Sequence, residues 1–333
     1  MVLAGGLSTR LYPLTKTVPK PLVPVAGVPN AIHLIRYLKS YGYDEIAINV
    51  HYLADAITEA LGDGSAFGVR LEYLHERELM GSAGALKPME HFFGKATFVV
   101  VGCDDLTDLP LDAIVAMHER TRAVATIGLV EREHVDQYGV VVTGEDGRIT
   151  GFQEKPAPGT ERSNLVNTGI YVFSPAIFAR IPDGTFYDFG KQVFPELLAD
   201  GLPFYGFDGR DAYWCDIGTP DEYRRASADV VNGTFYIPET RARGADPSAR
   251  IASSASIDRN VWIGANVRIG ERVRIIGPSV IGDRTTIEEG ARLEASIVWE
   301  DSTIGAGASL RGAIIGKDYG VEPGSVLNGD IAA

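Results

Sequence analysis

The chain opens with MVLAGGLSTRLYPLTKTVPKP, residues 1–21, and this stretch is the most informative part of the sequence. A short apolar run ends at the pair Gly5 and Gly6, and two cations, Arg10 and Lys20, follow. Glycines lack a Cβ and let backbone N–H groups approach a polyphosphate, while the cations can neutralise charge on a leaving pyrophosphate. The stretch therefore predicts a strand that runs into a triphosphate-binding loop.

Strands and helices alternate over residues 1–233. Short apolar runs predict strands at 45–50, 69–73, 96–101 and 124–130, and apolar residues at three- and four-residue spacing predict helices at 31–41, 53–61, 83–93 and 111–121. This alternation predicts a Rossmann-like α/β domain with a mixed, mainly parallel sheet. Ligands bind such sheets at the carboxyl ends of the strands, so we expect the glycine loop and the turn after strand 96–101 to face one crevice.

The sequence becomes periodic after Pro238. An aliphatic or aromatic residue recurs every six positions, and then continues after one skipped residue: Ile251, Ile257, Ile263, Ile269, Ile275, Ile281, Ile287, Leu293, Trp299, Ile304 and Leu310. Hexapeptides of this kind form a left-handed parallel β-helix with three hexapeptides in each triangular coil, which predicts about four coils over residues 251–327.

The composition supports two domains, because 333 residues exceed the usual size of one hydrophobic core. We predict a catalytic domain at 1–233, a linker at 234–250 and a β-helix domain at 251–333. The net charge of −13 argues against binding to nucleic acid or to an anionic membrane. Only Cys103 and Cys215 are cysteines, and no leader or apolar run of bilayer length is present, so we expect reduced thiols and a cytoplasmic protein.

Carboxylates follow two further predicted strands. Asp104 lies in GCDDLTD, residues 102–108, and Asp216 lies in YWCDIGTP, residues 213–220, just before a helix that Thr219 is predicted to cap. Two separated carboxylates at adjacent strand ends suit Mg²⁺, a hard cation that prefers oxygen ligands and also binds substrate phosphates. We therefore predict Asp104 and Asp216 as metal ligands.

Together these motifs resemble those of the sugar-1-phosphate nucleotidyltransferases, also called NDP-sugar pyrophosphorylases. The opening stretch is similar to GGxGTRLxPLTxxxPKP, and the two acidic segments are similar to GDxLTD and WxDIGTP. Residues 81–85, 154–156 and 167–171 match the GTAGA, EKP and NTGIY segments of the family. The resemblance covers nearly the whole chain. It implies that a sugar 1-phosphate attacks the α-phosphorus of a nucleoside triphosphate and expels pyrophosphate, with Mg²⁺ and without a protein nucleophile.

The resemblance also implies roles for single residues. The 81–85 loop is expected to pack against the base and ribose, Lys155 to bind the sugar phosphate, and Glu154 and Asn167 to bind sugar hydroxyls. The segment 138–171 is expected to form the sugar-side wall. The predicted nucleotide-binding residues are Leu3, Gly5, Gly6, Arg10, Lys20, Gly81, Ser82 and Asp104, and of these Arg10 and Lys20 are the predicted catalytic residues. The predicted sugar-phosphate-binding residues are Gly139, Glu154, Lys155 and Asn167.

The substrate pair stays open at this point. The combination of motifs is most similar to the mannose-1-phosphate guanylyltransferases, which implies GTP and mannose 1-phosphate, but glucose-1-phosphate thymidylyl-, uridylyl- and adenylyltransferases share much of it. Two other classes are a β-helix acyltransferase and a catalytically silent nucleotide-sugar sensor or regulatory subunit. No histidine follows His134 to act as the base of an acyltransferase. Two departures from the family motifs favour the catalytically silent class: Ser8 replaces the usual third glycine, and Cys103 precedes the metal aspartate.

The β-helix domain is expected to mediate assembly into a homo-oligomer, with a dimer as the cautious prediction, because its end coils expose strand edges. On this view, removing residues 251–333 lowers the oligomeric state and leaves the nucleotide-binding residues in place.

Overall fold

The structure is a computed structural model that describes residues 1–238, 240–241 and 243–333. The chain forms two compact units. One, which we call the sheet unit, contains Met1–Leu7 and Leu34–Trp214, and the other, the β-helix unit, contains Ser8–His33 and Cys215–Ala333. The opening stretch is therefore divided after Leu7. The predicted boundary at 233 and the linker at 234–250 stay predictions, and residues 239 and 242 of that linker lie outside the described residues.

The first part of the chain contains short strands interspersed with helices. The strands are β1 Val2–Leu3, β2 Pro24–Val25, β3 Val28–Pro29, β4 Glu45–Val50, β5 Arg70–His75, β6 Phe98–Gly102, β7 Asp105–Thr107, β8 Ala125–Glu131, β9 Gly139–Thr143, β10 Ile149–Glu154, β11 Leu165–Phe173, β12 Phe204–Asp208 and β13 Trp214–Asp216. The α-helices are α1 Asn30–Ser40, α2 Ala54–Leu61, α3 Gly81–Gly84, α4 Glu90–Phe93, α5 Leu111–Thr121, α6 Phe194–Ala199 and α7 Pro220–Asn232. Shorter 3-10 helices span Thr9–Leu11, Leu14–Lys16, Lys20–Leu22, Ser65–Phe67, Lys87–Met89 and Pro175–Arg180, and a π-helix spans Phe189–Val193.

The sheet unit is built on a mixed sheet, as predicted. Its strands follow the order β12-β8-β11-β6-β1-β4-β5, with β9 and β10 added beside β11. Strand β1 pairs in parallel with both β4 and β6, and β11 runs antiparallel to β6, β8 and β9. Five of the six residues of β4 are buried, which fits an apolar strand covered on both faces. The predicted strands and helices are confirmed here with one exception.

That exception is the helix predicted over 83–93. The structure instead has α3, a 3-10 turn over Lys87–Met89, and α4. Pro88 has no backbone N–H to donate to a preceding carbonyl, so a continuous α-helix is interrupted there. The start of α7 is confirmed, because the Thr219 hydroxyl accepts a hydrogen bond of 3.3 Å from the Glu222 N–H. Among the described residues, no helix combines the length and apolar character that a membrane span requires.

Residues 244–332 contain short parallel strands. They are β14 Gly244–Ala245, β15 Arg250–Ile251, β16 Ser256–Ile257, β17 Val261–Ile263, β18 Arg268–Ile269, β19 Arg274–Ile276, β20 Ser279–Ile281, β21 Thr286–Ile287, β22 Arg292–Glu294, β23 Ile297–Val298, β24 Thr303–Ile304, β25 Ser309–Arg311, β26 Ile314–Ile315, β27 Gly320–Val321, β28 Val326–Asn328 and β29 Ile331–Ala332. Every third strand pairs, which gives the all-parallel sheets β14-β17-β20-β23-β26-β29, β15-β18-β21-β24-β27 and β16-β19-β22-β25-β28. This is the predicted left-handed parallel β-helix, with about one coil more than expected.

One position of the hexapeptide register was predicted wrongly. Ile281 pairs with Val298 rather than with Trp299, so the five-residue step falls between Leu293 and Val298. Val298 belongs to the apolar interior of the coils, whose members are mainly Ile, Val, Leu and Ala. Side chains alternate across a strand, so the neighbouring Trp299 is kept out of that narrow interior.

The three faces of the β-helix differ in character. On the face formed by β17, β20, β23 and β26, the outward residues Trp262, Val280, Ile297 and Ile314 are apolar and buried. On the other two faces, outward positions include the exposed residues Arg268, Thr303, Arg274 and Arg292. An apolar outer face requires a cover, and Arg224 and Ala228 of α7 line one pocket with Val280 and Ile297.

Candidate functional site

In the sheet unit, the end of β1 lies against the turn that carries Asp104. The Cys103 N–H donates a 3.1 Å hydrogen bond to the Leu3 carbonyl, and Leu3 also pairs with Gly102. Because β1 and β6 are parallel neighbours, the glycine loop that follows β1 begins at the same sheet edge as this turn. The structure thus brings Leu3, Gly5 and Asp104 to one edge of the sheet unit.

Two successive aspartates in this turn have different environments. Asp105 is buried, and its two carboxylate oxygens accept hydrogen bonds of 3.0 Å from the Trp214 indole N–H and the Gly102 N–H. Asp104 is partly exposed at the sheet edge. A carboxylate engaged by two protein donors is held for structural reasons, so Asp105 is not a candidate metal ligand, and Asp104 stays the predicted one.

A partly buried polar network, which the sequence did not predict, connects the glycine loop to the loop at 81–85. The Ala4 N–H donates to Asn49 Oδ1 at 3.0 Å, and Asn49 Nδ2 donates to Glu76 Oε2 at 2.6 Å. Glu76 Oε1 accepts from the Met80 N–H at 3.1 Å. Gly5 leaves space for this network, since a Cβ at Gly5 would stand 2.6 Å from Glu76 Oε2. Asn49, a polar residue inside an apolar strand, was the available signal.

Residues 81–85 form a tight turn around Gly81, whose φ is +78°. The N–H groups of Ala83 and Gly84 donate to the Tyr187 carbonyl at 3.0 and 2.9 Å, so they are already paired within the protein. Ser82 Oγ donates to Asp188 Oδ2 at 3.0 Å and accepts from the Phe189 N–H at 3.0 Å. These bonds fix the loop against the segment before α6. The backbone around Gly81 is then the part of the loop that a ligand could contact.

The predicted sugar-phosphate-binding residues lie together in the sheet unit. Glu154 pairs with Gly139 across β10 and β9, and a Cβ at Gly139 would lie 3.4 Å from the Asn167 Cβ. Asn167 is held at both ends of its amide, since Oδ1 accepts from the Gly169 N–H at 2.9 Å and Nδ2 donates to Tyr171 Oη at 3.0 Å. The hairpin and β11 therefore bring Gly139, Glu154, Lys155 and Asn167 to one place.

Glu154 and Lys155 differ in backbone and in electrostatics. Lys155 has a φ of +47°, and its N–H donates to the Tyr138 carbonyl at 3.0 Å, so the chain turns sharply at the end of β10. Although the Glu154 side chain reaches the surface, desolvation raises the pKa of its carboxyl, and Asp188 raises it further while Lys155 opposes the shift. A cation and a carboxylate at this turn can together recognise a phosphate and a hydroxyl.

In the β-helix unit, the backbone at Ser8 explains why the family motif has a glycine there. Ser8 has φ 55° and ψ 36°, a left-handed conformation that costs a residue with a Cβ about 1–2 kcal/mol relative to glycine. The Thr15 hydroxyl donates to the Ser8 carbonyl at 2.7 Å and stabilises this turn. The substitution thus keeps the loop conformation at some cost in energy.

Arg10 and Asp216 come close to each other within the β-helix unit. A Cβ placed on Gly218 would lie 3.0 Å from Arg10 Nη2 and 3.0 Å from Asp216 Oδ2. Gly218 is buried, and because it has no Cβ it leaves room for the guanidinium and the carboxylate. This arrangement places the Arg10 guanidinium close to the carboxylate of Asp216, a candidate metal ligand.

Lys20 is buried and belongs to a rigid segment of the same unit. The 3-10 turn Lys20–Leu22 is closed by a 3.1 Å hydrogen bond from the Val23 N–H to the Lys20 carbonyl, and Pro19 and Pro21 flank Lys20. The β2–β3 hairpin follows directly. The prolines fix φ at positions 19 and 21, and the hydrogen-bonded turn holds Lys20 in a defined backbone conformation shortly before the hairpin.

The carboxylates of Asp104 and Asp216 are chemically suited to a magnesium ion. In the part of the chain that the structure describes, no three or more His, Cys, Asp or Glu side chains form a cluster that could hold a metal. Mg²⁺ usually takes one or two carboxylates and fills its other positions with substrate phosphates and water, so it does not need such a cluster. Both cysteines are buried and neither forms a disulfide, and burial raises the pKa of the Cys215 thiol to about 12, which keeps it from acting as a thiolate ligand.

The chain is similar to known proteins over most of its length. Residues 1–233 match the Nucleotidyl transferase family, and residues 242–332 match the GMPPB C-terminal domain family. The chain is 39% identical to a UTP–glucose-1-phosphate uridylyltransferase of Synechocystis over 89% of this chain and 81% of that protein. It is 33% identical to a mannose-1-phosphate guanylyltransferase of Mycobacterium tuberculosis over 88% and 82% of the two chains.

Among solved structures, HddC from Yersinia pseudotuberculosis matches with a TM-score of 0.59 and 27% identity, over 68% of this chain and 96% of that one. Members of the nucleotidyl transferase family generally use a divalent metal. With a nucleotidyl transferase match over most of its length and relatives of this kind, the chain belongs to the sugar-1-phosphate nucleotidyltransferase family.

Proposed function

We propose that the chain transfers a guanylyl group from GTP to mannose 1-phosphate in a Mg²⁺-dependent reaction, and releases pyrophosphate. The observation that carries the proposal is the pair of Arg10 and Asp216 around Gly218, since one supplies a cation for phosphates and the other a hard oxygen ligand. The choice of base and sugar is supported by the match of residues 242–332 to the GMPPB C-terminal domain and by the guanylyltransferase relatives.

The proposed mechanism uses positioning rather than a protein nucleophile. A phosphate oxygen of the sugar 1-phosphate attacks the α-phosphorus in line, and pyrophosphate leaves. Lys155 binds the sugar phosphate, Glu154 and Asn167 bind sugar hydroxyls, and the backbone of Gly139 lies against the hexose. Leu3, Gly5, Gly6, Gly81 and Ser82 contact the nucleotide, and Arg10 and Lys20 neutralise charge on the leaving pyrophosphate.

Asp104 and Asp216 would hold the divalent metal in this proposal. When bound, Mg²⁺ supplies neutralisation of the triphosphate charge and fixes the phosphates for in-line attack. Asp105, the other carboxylate of the Asp104 turn, accepts hydrogen bonds from two protein donors, which argues against it as a ligand. Asp216 is supported by its place at the end of a strand, since a carboxylate there suits a hard dication.

UTP with glucose 1-phosphate is the second candidate pair, because the uridylyltransferase relative has the higher identity of the two relatives described above. The test is pyrophosphate release with Mg²⁺ from GTP, UTP, dTTP, ATP and CTP, each paired with mannose, glucose, galactose and N-acetylglucosamine 1-phosphates. Preference for GTP with mannose 1-phosphate supports the proposal. Preference for another pair replaces the substrate assignment, and no release from any pair favours a silent sensor or regulatory subunit.

Removing the charge of Lys155 tests the sugar side of the site. We expect Lys155→Met to raise the KM for the sugar 1-phosphate about tenfold or more, because a charge-assisted hydrogen bond to a phosphate is lost. The KM for the nucleotide should change little. Lys95→Met, at an exposed lysine of the same unit outside the site, is the matched control. A larger effect on the nucleotide than on the sugar 1-phosphate would mean that the two sides are assigned backwards.

We also propose that the chain forms a homo-oligomer through the β-helix, with a dimer as the expected state. The three sheets end at β14, β15 and β16 on one side and at β27, β28 and β29 on the other, and Ile251 and Val326 in these end strands are exposed. Exposed apolar edge strands favour pairing with a second copy. Sedimentation of the full chain should give twice the monomer mass, and a monomer at micromolar concentration would exclude this. A cytoplasmic location stays a prediction.

A further inference from the structure

We propose that Trp299 and Tyr223 are positioning residues that fix Lys20 through the hairpin that follows it. This inference rests on the proposed role of Lys20 at the leaving pyrophosphate. It starts from the register of the β-helix, because the five-residue step at Leu293–Val298 places Val298 in the interior and keeps Trp299 out of it. All of the residues involved belong to the β-helix unit.

Two hydrogen bonds, from Trp299 to Tyr223 and from Tyr223 to Pro24, form what we call the relay, and each has a fixed direction. The Trp299 indole N–H lies 2.9 Å from Tyr223 Oη, and Tyr223 Oη lies 2.6 Å from the Pro24 carbonyl. An indole N–H can only donate, and a carbonyl can only accept. The single hydroxyl proton of Tyr223 therefore goes to Pro24, and its oxygen accepts from Trp299.

Burial makes these bonds effective. Tyr223 is fully buried and Trp299 is 2% exposed, so both bonds are largely shielded from bulk water. The same hairpin is held at other points, since Trp262 fills the space beside Gly27 and His33 Nε2 bonds with the Val25 carbonyl at 2.9 Å. The hairpin thus rests on the apolar outer face of the β-helix.

Open space adjoins Pro24 on one side. A cavity of about 190 Å³ borders Pro24, Tyr223 and Trp299, and its wall also includes Val18 and Leu22. Without the hydroxyl the hairpin can relax toward this space, because close-packed neighbours are missing there. Pro24 follows the Lys20–Leu22 turn with one residue between, so a shift of Pro24 carries Lys20 with it.

The test compares Tyr223→Phe with wild type, using the substrate pair that wild type turns over. We expect kcat to fall about tenfold, because a small misplacement of a catalytic cation is costly, while the KM for the sugar 1-phosphate stays the same. Trp299→Phe should lower kcat less, since the hydroxyl can still donate to Pro24. Ile304→Val, a buried change in the coil interior, is the matched control for lost packing and should leave kcat unchanged.

A double-mutant cycle separates positioning from general damage. In a Lys20→Ala background, Tyr223→Phe should lower kcat by less than about twofold, because its effect acts through Lys20. Additive losses, an unchanged kcat in Tyr223→Phe, or an equal loss in Ile304→Val would each overturn the inference.

Hydrogen exchange gives a readout that does not depend on activity. The amide hydrogens of the peptide that contains Val23 and Asn30 should exchange about tenfold faster in Tyr223→Phe than in wild type. Their exchange rate should be unchanged in Ile304→Val. Equal exchange in Tyr223→Phe and wild type would refute the relay even if the enzyme were active. Faster exchange in a chain that turns over no substrate pair would keep the relay and reject the proposed function.

Discussion

Asp104→Asn and Asp216→Asn should each lower kcat by about a hundredfold or more, which corresponds to roughly 3 kcal/mol of lost transition-state stabilisation. An asparagine keeps the shape and one oxygen of the aspartate but loses its charge, so it binds a hard dication weakly. Both side chains are partly exposed at the ends of strands. We therefore expect little change in the melting temperature, and the measurement is steady-state pyrophosphate release together with the affinity for Mn²⁺ by electron paramagnetic resonance.

Asp105→Asn is the matched control for this prediction. Its carboxylate accepts from both the Trp214 and Gly102 N–H groups, so an amide –NH2 would face one of these donors. Such a mismatch costs about 1–3 kcal/mol of stability. We expect a lower melting temperature with an unchanged Mn²⁺ affinity of the folded enzyme. Wild-type rates in Asp104→Asn, or Mn²⁺ binding lost only in Asp105→Asn, would show that the metal ligand was assigned to the wrong aspartate.

Truncation after residue 250 should abolish turnover, a larger effect than any single substitution. The sequence alone favours a truncated chain with its nucleotide-binding residues in place, whereas the structure assigns Arg10 and Lys20 to the β-helix unit, so we now expect the truncation to displace them. The truncation removes the apolar outer face, and also the Gly312 and Gly329 carbonyls that accept from Arg224 at 2.7 and 2.8 Å.

The size of the effect follows from the area that loses its cover. Burial of one large apolar side chain contributes roughly 1.5–3 kcal/mol, and whole domains are stable by only about 5–15 kcal/mol. The truncation exposes several such side chains at once, among them the fully buried Tyr223. It therefore removes most of the free energy of unfolding of this unit. Circular dichroism and pyrophosphate release on the truncated chain are the measurements, and an active truncated chain would contradict the prediction.

Two point substitutions make the same test within the full chain. Ile297→Asp places a charge on the buried outer face, whereas Arg274→Asp places the same side chain on an exposed face of the same β-helix. We expect Ile297→Asp to lower both activity and melting temperature, because a buried unpaired carboxylate is costly, and Arg274→Asp to change neither. Equal effects would mean that the outer faces are equivalent.

The sequence by itself determined both architectures and the family. Alternating apolar runs predicted the mixed sheet, and the six-residue period predicted the β-helix, because each pattern repeats a local rule many times and survives single errors. The motif residues could be identified for the same reason, since a loop such as residues 1–21 carries its glycines and cations close together in the chain. The prediction of a continuous helix over 83–93 was wrong, because Pro88 interrupts it despite the helical spacing of the apolar residues.

Only the tertiary structure decided which parts support one another. Asn49 stands out as a polar residue in an apolar strand, but its partner Glu76 lies 27 positions away, and the bond from Tyr223 to Pro24 spans 199 positions in the chain. Trp299 fits the six-residue period, and only pairing with neighbouring coils shows that Val298 takes the interior position. Local patterns fix what an element is, whereas long-range packing and buried hydrogen bonds fix its partners, and these depend on the whole fold.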